Sequence, residues 1–153
     1  MYFANSNIDT REEFEMRLAQ ARKLADAEGV ELKVAPYDHE QWLREVAAGF
    51  ENEPEKGRRC ERCFRYNLAK TAEYLDSCGG DAFCTSLTVS PHKPSAVVFS
   101  ASADPRFVRE DFKKKEGFKI SVNRAGELGL YRQAYCGCEF SKRQKEIGNA
   151  AGA

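Results

Sequence analysis

Arg58-Arg59-Cys60-Glu61-Arg62-Cys63-Phe64-Arg65 reads as the mouth of a helix carrying two thiols one turn apart. At that spacing Cys60 and Cys63 can face a single ion. The exposed N–H groups and positive dipole end of a helix start are expected to draw a thiol toward the thiolate that metals require. Four neighbouring arginines, Arg58, Arg59, Arg62 and Arg65, add positive potential. A Cys-x-x-Cys is shared by zinc sites, iron–sulfur sites and redox dithiols, so it does not choose among them. Its expected complement is Cys136-Gly137-Cys138, and the two close pairs account for four of the six cysteines.

Downstream, the helix runs on through Leu68, Ala72 and Leu75 to Gly79-Gly80. Ala82 to Val89 is the next strand candidate, and Ser90-Pro91 suits the N-cap and first position of another helix, with His92 and Lys93 in its first turn. Such strand–loop–helix junctions put functional groups at the carboxyl ends of parallel strands. Pro94 and Pro105 fence a short helix around Val97-Val98-Phe99, Phe107-Val108 is a further strand candidate, and Ile120 to Leu128 reads as a helix stopped by Gly129.

Upstream lies an acidic loop, Glu51 to Gly57, containing proline and glycine. Before it, Asp38 can cap a helix that carries Trp42, Leu43, Val46 and Ala47 on one stripe and ends at Gly49; Trp42 reads as core. Val30, Leu32 and Val34 alternate as a short strand would. Thr10-Arg11-Glu12-Glu13 fits a capping box. Phe14, Leu18, Ala21 and Ala25 then repeat at helical spacing up to Gly29. Met1 to Ala4 reads as the end of a strand running into an Asn5-Ser6-Asn7 turn. Alternating helices and strands with short connections predict an α/β fold, a parallel sheet flanked by helices.

The length of 153 residues suits one domain with a real core. Lys and Arg number 24 and Asp and Glu 24, which excludes a globally basic nucleic-acid binder while allowing a local basic patch. No run approaches the ~18 consecutive apolar residues of a membrane span. No charged segment followed by an apolar one marks an export signal, so a cytoplasmic location and no membrane partner are expected. In that compartment the cysteines are ligands or redox groups rather than a disulfide framework. Cys78 and Cys84 are expected to be buried small apolar residues. His92 reads equally well as a local capping group and as a functional one. Lys113-Lys114-Lys115 reads as a solvated face. The glycine of Cys136-Gly137-Cys138 permits unusual backbone angles, and a disulfide closed across so small a ring would be strained and easily reduced.

Several of these motifs carry a family resemblance. They are Arg59-Cys60-Glu61-Arg62-Cys63-Phe64, Thr71-Ala72, Ser86-Leu87-Thr88-Val89-Ser90-Pro91-His92-Lys93, Asp111-Phe112-Lys113-Lys114-Lys115 and, most specifically, Gly129-Leu130-Tyr131-Arg132-Gln133-Ala134-Tyr135-Cys136-Gly137-Cys138. With Tyr2-Phe3-Ala4-Asn5-Ser6-Asn7-Ile8, they resemble in order the QueH-type epoxyqueuosine reductases, from about Tyr2 to Phe140. The resemblance implies an oxidoreductase that reduces the epoxide of epoxyqueuosine to the alkene of queuosine at the wobble position of tRNA, the last step of queuosine biosynthesis. It also implies a [4Fe–4S] cluster, a nearby second metal, an electron donor, and an adenine-nucleotide α-hydrolase-like sheet. Cys60 and Cys63 match cluster ligands, and Cys136 and Cys138 match the redox-active pair. His92, Lys93, Asp111, Tyr131 and Arg132 fall in matching motifs and are candidates for contact with the tRNA.

The chain also departs from the family pattern. The family's first strand, with its Cys-Cys motif, lies ahead of the region matching Tyr2. The expectation is therefore an N-terminally truncated chain: one incomplete α/β domain over 1–140 and a C-terminal tail over 141–153. The segment between His92 and Asp111 is shorter than the family's, and Ile120 stands where an arginine is usual. Cations flank both cysteine pairs, the four arginines around Cys60 and Cys63, and Lys142, Arg143 and Lys145 after Cys138. They are expected to form a basic rim for RNA, extended by Lys113 to Lys115. Two rival readings remain: a zinc-stabilised four-cysteine nucleic-acid-binding module using Cys60, Cys63, Cys136 and Cys138, and a metal-free thiol–disulfide oxidoreductase using Cys136 and Cys138 alone.

Overall fold

The computed structural model describes residues 1–150. The chain forms two compact units. The first comprises Met1–Cys60 together with the chain from Leu130 onward, and the second is Glu61–Gly129. The fold is α/β, and its sheet is small. Strands β1 (Tyr2–Phe3) and β2 (Lys33–Val34) pair in parallel, Tyr2 opposite Lys33 and Phe3 opposite Val34. Parallel neighbours need a crossover, and here it is helix α1 (Arg11–Glu28).

The ends of α1 follow from the sequence. Thr10 is extended, and its hydroxyl accepts from the Glu13 N–H at 3.2 Å. Gly29 closes the helix at φ 63°, a left-handed conformation that glycine adopts without a Cβ penalty. Phe14 and Leu18, one turn apart, join Ile8 in the core of the first unit, with Phe3, Leu32 and Tyr37 packed around them. Asp38 caps α2 (His39–Trp42), accepting from the Gln41 N–H at 2.8 Å. The helix then widens into a π turn over Leu43–Ala47, closed by Ala48 N–H to Leu43 C=O at 2.9 Å. Trp42 is buried, as expected for a core residue. Helix α6 (Glu139–Ala150) completes this unit. The tail expected from 141 is therefore helical as far as 150, and residues 151–153 lie outside the described residues.

Helix α3 (Arg58–Cys78) runs from the first unit into the second. Leu68 and Leu75 on α3 pack with Phe83 and Phe107, whose rings stack at 5.3 Å, and Ala72, Phe99 and Ala101 surround them. Helices α4 (Ser95–Ser100) and α5 (Gly117–Glu127) belong to this unit. The short helix between Pro94 and Pro105 is as expected, and α5 begins three residues before Ile120.

Three expectations are corrected here. Ala82 to Val89 is not a strand: only Phe83 bridges Phe107, while Ser86–Val89 is a 3₁₀ turn. The Thr85 hydroxyl accepts the Leu87 N–H at 3.2 Å, a local bond that diverts the backbone from a ladder. No helix starts at Ser90-Pro91. Ser90 closes a turn instead, and Pro94 biases Lys93 away from helical angles, so α4 starts at Ser95. Cys78 and Cys84 are exposed rather than buried.

Candidate active site

Cys60 sits on the first turn of α3. Its N–H donates to the Gly57 carbonyl at 2.9 Å, and its sulfur accepts the Lys56 N–H at 3.3 Å. The side chain is half-buried. Burial pushes the thiol pKa above its ordinary value; the Lys56 N–H opposes this, Cys136 and Cys138 add to the rise, and the Arg59 charge counters it weakly. This reverses the expected drift toward thiolate, because desolvation outweighs the donors of the helix start. Cys63 follows on the next turn, within the second unit, where Asn67 Nδ2 donates to its carbonyl at 3.0 Å and its sulfur at 3.4 Å.

Arg59 is the residue of the opening motif that the sequence misplaces. It is 1% exposed, so it is no part of a basic rim. Its Nη1 donates to the carbonyls of Phe50, Glu51 and Glu53 at 2.8, 3.2 and 2.7 Å, and its guanidinium lies 4.4 Å from the Phe140 ring. The acidic loop thus wraps a buried cation. Arg58 is exposed and forks onto Glu53 at 3.0 and 2.8 Å.

The other cysteine pair lies in the first unit and is held from α1 and the loop before it. Arg17 donates from Nη1 to the Cys136 carbonyl at 2.9 Å and from Nη2 to the Tyr135 carbonyl at 3.3 Å. Its Nε is fixed by Glu13 at 2.7 Å, in a pair only about one-tenth exposed. The Asp9 N–H donates to the Gly137 carbonyl at 2.9 Å. The Tyr135 hydroxyl donates to the Asp9 carboxylate at 2.5 Å, and its ring lies 5.1 Å from the Arg17 guanidinium. Burial, then the Asp9 hydrogen bond, raises the Tyr135 pKa and keeps it a phenol. Gly137 has φ 144°, and a Cβ there would come within 2.9 Å of Asn7 Nδ2 and 3.2 Å of Arg17 Nη1. Cys136 is half-buried and Cys138 buried, and no disulfide joins the described cysteines.

Next to Cys138, Glu139 meets His39. The His39 Nε2 is 3.3 Å from Glu139 Oε1 and its Nδ1 2.8 Å from the Ser6 carbonyl. The imidazole stacks on Tyr37 and Trp42 at 6.3 and 5.5 Å. The sequence did single out the two cysteine pairs. It did not reveal Arg17, Glu13, Asp9 or His39 as their surroundings. Glu13 and Arg17 at i and i+4 were a legible helix pair, but their contact with a segment more than 100 residues away leaves no local trace.

The remaining candidates are dispersed. His92 is exposed, and Lys93 sits 5.6 Å from the Phe64 ring in the second unit. Asp111 pairs with Lys113 at 3.3 Å. Lys113 is not a solvated cation: its Nζ donates to the carbonyls of Thr88 and Lys93 at 2.9 and 3.2 Å and to the Ser95 hydroxyl at 2.6 Å. Lys114 and Lys115 are exposed as expected. Tyr131 and Arg132 are exposed in the first unit, where the Tyr131 N–H reaches Gln20 at 3.0 Å. Lys142 pairs with Asp9 at 3.4 Å, and Arg143 lies 5.9 Å from the Phe140 ring.

Cys60 and Cys63 have the donor chemistry for a metal, yet they are half of the four thiolates a [4Fe–4S] cluster takes. Among the described residues no group of three or more His, Cys, Asp and Glu side chains is disposed to hold a metal ion. Among them, too, no helix is long and apolar enough to cross a membrane.

These features define an α/β protein with one thiol pair on a helix start and a second on a clamped glycine loop. A family model described as epoxyqueuosine reductase QueH matches residues 1–144. The chain is 35% identical to the epoxyqueuosine reductase QueH of Streptococcus pyogenes, over 96% of this chain and 62% of that protein. It is 32% identical to that of Dehalococcoides mccartyi, over 95% and 79%, and 30% identical to that of Thermotoga maritima, over 92% and 77%. The chain belongs to the epoxyqueuosine reductase QueH family.

Proposed function

We propose that this chain carries out the reaction for which its relatives are named, reduction of epoxyqueuosine to queuosine in tRNA. The observation that carries the proposal is the Cys136-Gly137-Cys138 dithiol, tied through three successive carbonyls to residues around the start of α1. Removing an epoxide oxygen to leave an alkene takes two electrons and two protons and releases water. Two thiols closing to a disulfide yield that number of each. Cys136, half-buried, is the accessible member, and Cys138 is the buried one. The Tyr135 phenol, held protonated, donates its one proton to Asp9 and so anchors the residue before the pair.

Cys60 and Cys63 would supply two of the thiolates of a [4Fe–4S] cluster, with the rest of its donor set coming from elsewhere. A cluster held there would supply electrons one at a time, and an electron donor and a second metal ion belong to the same reading. The raised Cys60 pKa means that loading a metal must displace a proton. The crossover of β1, α1 and β2 is consistent with an adenine-nucleotide α-hydrolase-like sheet. Exposed Arg132 and Arg143 suit an RNA phosphate backbone, in keeping with a cytoplasmic tRNA substrate.

The test is anaerobic turnover of tRNA carrying epoxyqueuosine, read by nucleoside mass spectrometry. Cys136→Ser and Cys138→Ser should each lower queuosine formation by about two orders of magnitude or more and leave iron content unchanged. Cys60→Ser and Cys63→Ser should lower iron and sulfide content as well. Full turnover by Cys136→Ser would remove the dithiol from the reaction. Dithiol cycling with glutathione, but no action on tRNA, would favour a general thiol–disulfide oxidoreductase.

A further inference from the structure

We infer that Arg17 is a positioning residue that holds the Cys136-Gly137-Cys138 segment in its dithiol geometry and thereby sets how readily the pair oxidises. The inference rests on the reading of Cys136 and Cys138 as a redox pair. Three consecutive carbonyls, of Tyr135, Cys136 and Gly137, are bonded from outside their own segment, the first two by the Arg17 fork and the third by the Asp9 N–H. Side-chain hydrogen bonds to two successive main-chain carbonyls are directional and fix both peptide planes. Because Arg17 is itself locked by Glu13 and little exposed, the fork cannot drift with the loop. Gly137 fits against the same guanidinium with no room for a side chain.

Closing a disulfide across a single residue brings the two Cβ atoms to about 3.8 Å and must rotate the peptide planes between them. The fork holds the first of these planes through the Cys136 carbonyl, and the Asp9 N–H holds the second through the Gly137 carbonyl. Arg17 therefore favours the dithiol over the disulfide. In the exchange, Cys136 and Cys138 each lose a proton and together two electrons as the S–S bond forms. Glutathione disulfide accepts both and leaves as two glutathiones.

The experiment equilibrates the whole chain in glutathione buffers of varied ratio, traps thiols by alkylation, and quantifies the peptide bearing Cys136 and Cys138 by mass spectrometry. Arg17→Gln should raise the equilibrium constant for disulfide formation about tenfold, a fall in potential of about 30 mV. Arg17→Lys, which keeps the charge but not the fork, should lie between Arg17→Gln and the parent chain. Arg22→Gln, exposed on the same helix, should match the parent. If Arg17→Gln does not fold, Glu13→Gln, which frees the guanidinium without touching the loop, should raise the constant about threefold. A constant unchanged in a folded Arg17→Gln, or in Glu13→Gln, overturns the role of Arg17 while leaving the redox pair intact. Failure of the parent chain to form the Cys136–Cys138 disulfide at any ratio overturns the redox reading and this inference with it.

Discussion

His39 shows how a single titratable side chain becomes part of the frame of the site. Burial pulls its pKa down, but the hydrogen bond to Glu139, the Ser6 carbonyl and the charges of Glu139 and Asp9 outweigh that, and the net shift is upward. A histidine whose folded pKa is raised contributes stability that is fully present below its ordinary value of 6.5 and lost as pH rises through the folded one. The folded chain should therefore lose stability between mildly acidic and neutral-to-alkaline pH. Glu139→Gln should flatten that slope and lower the His39 midpoint in a proton NMR titration. An unchanged midpoint would show that Glu139 does not hold the imidazole. Neither partner was legible beforehand: one helical Asp38-His39 step and one Cys138-Glu139 step, 100 positions apart in the chain, give no hint of meeting.

Among the elements, the long helices were readable and the irregular stretch from Ser86 to Ser95 was not. Thr10, Gly29 and Asp38 announce α1 and α2 through side-chain and backbone chemistry that acts within four residues, so the sequence carries it whole. The segment before α4 is set by Lys113 instead. Its ammonium gathers two carbonyls and a hydroxyl from positions 18 to 25 residues upstream, while Asp111 balances its charge. A lysine run invites a surface reading, and only tertiary structure separates Lys113 from Lys114 and Lys115. Lys113→Gln should cost about 1–3 kcal/mol and speed amide exchange in α4, measured by urea denaturation and hydrogen exchange. Lys114→Gln and Lys115→Gln should cost little. Equal effects at all three positions would return Lys113 to the solvated face.

For the whole molecule, the sequence carried the family and the two thiol pairs, because both reside in short contiguous motifs. The division into two units leaves no mark in the sequence, because it depends on where packed contacts fall along α3. The chain leaves the first unit inside that helix, between Cys60 and Glu61, and returns at Leu130. Within the second unit α3 behaves as a gear with a fixed tooth count, because Leu68 and Leu75, two turns apart, both pack with Phe83 and Phe107. Each residue of an α-helix advances about 100° around the axis. An alanine inserted between Thr71 and Ala72 would turn Leu68 by that angle relative to Leu75. Only one of the two could then meet Phe83 and Phe107, and the melting temperature should fall by several degrees. Two glycines inserted between Asp81 and Ala82, in an exposed turn, should lower it far less. Anyone recombining this chain with its relatives therefore inherits a phase rule: exchanges made within α3 must conserve residue number, whereas those made after Gly80 can vary it.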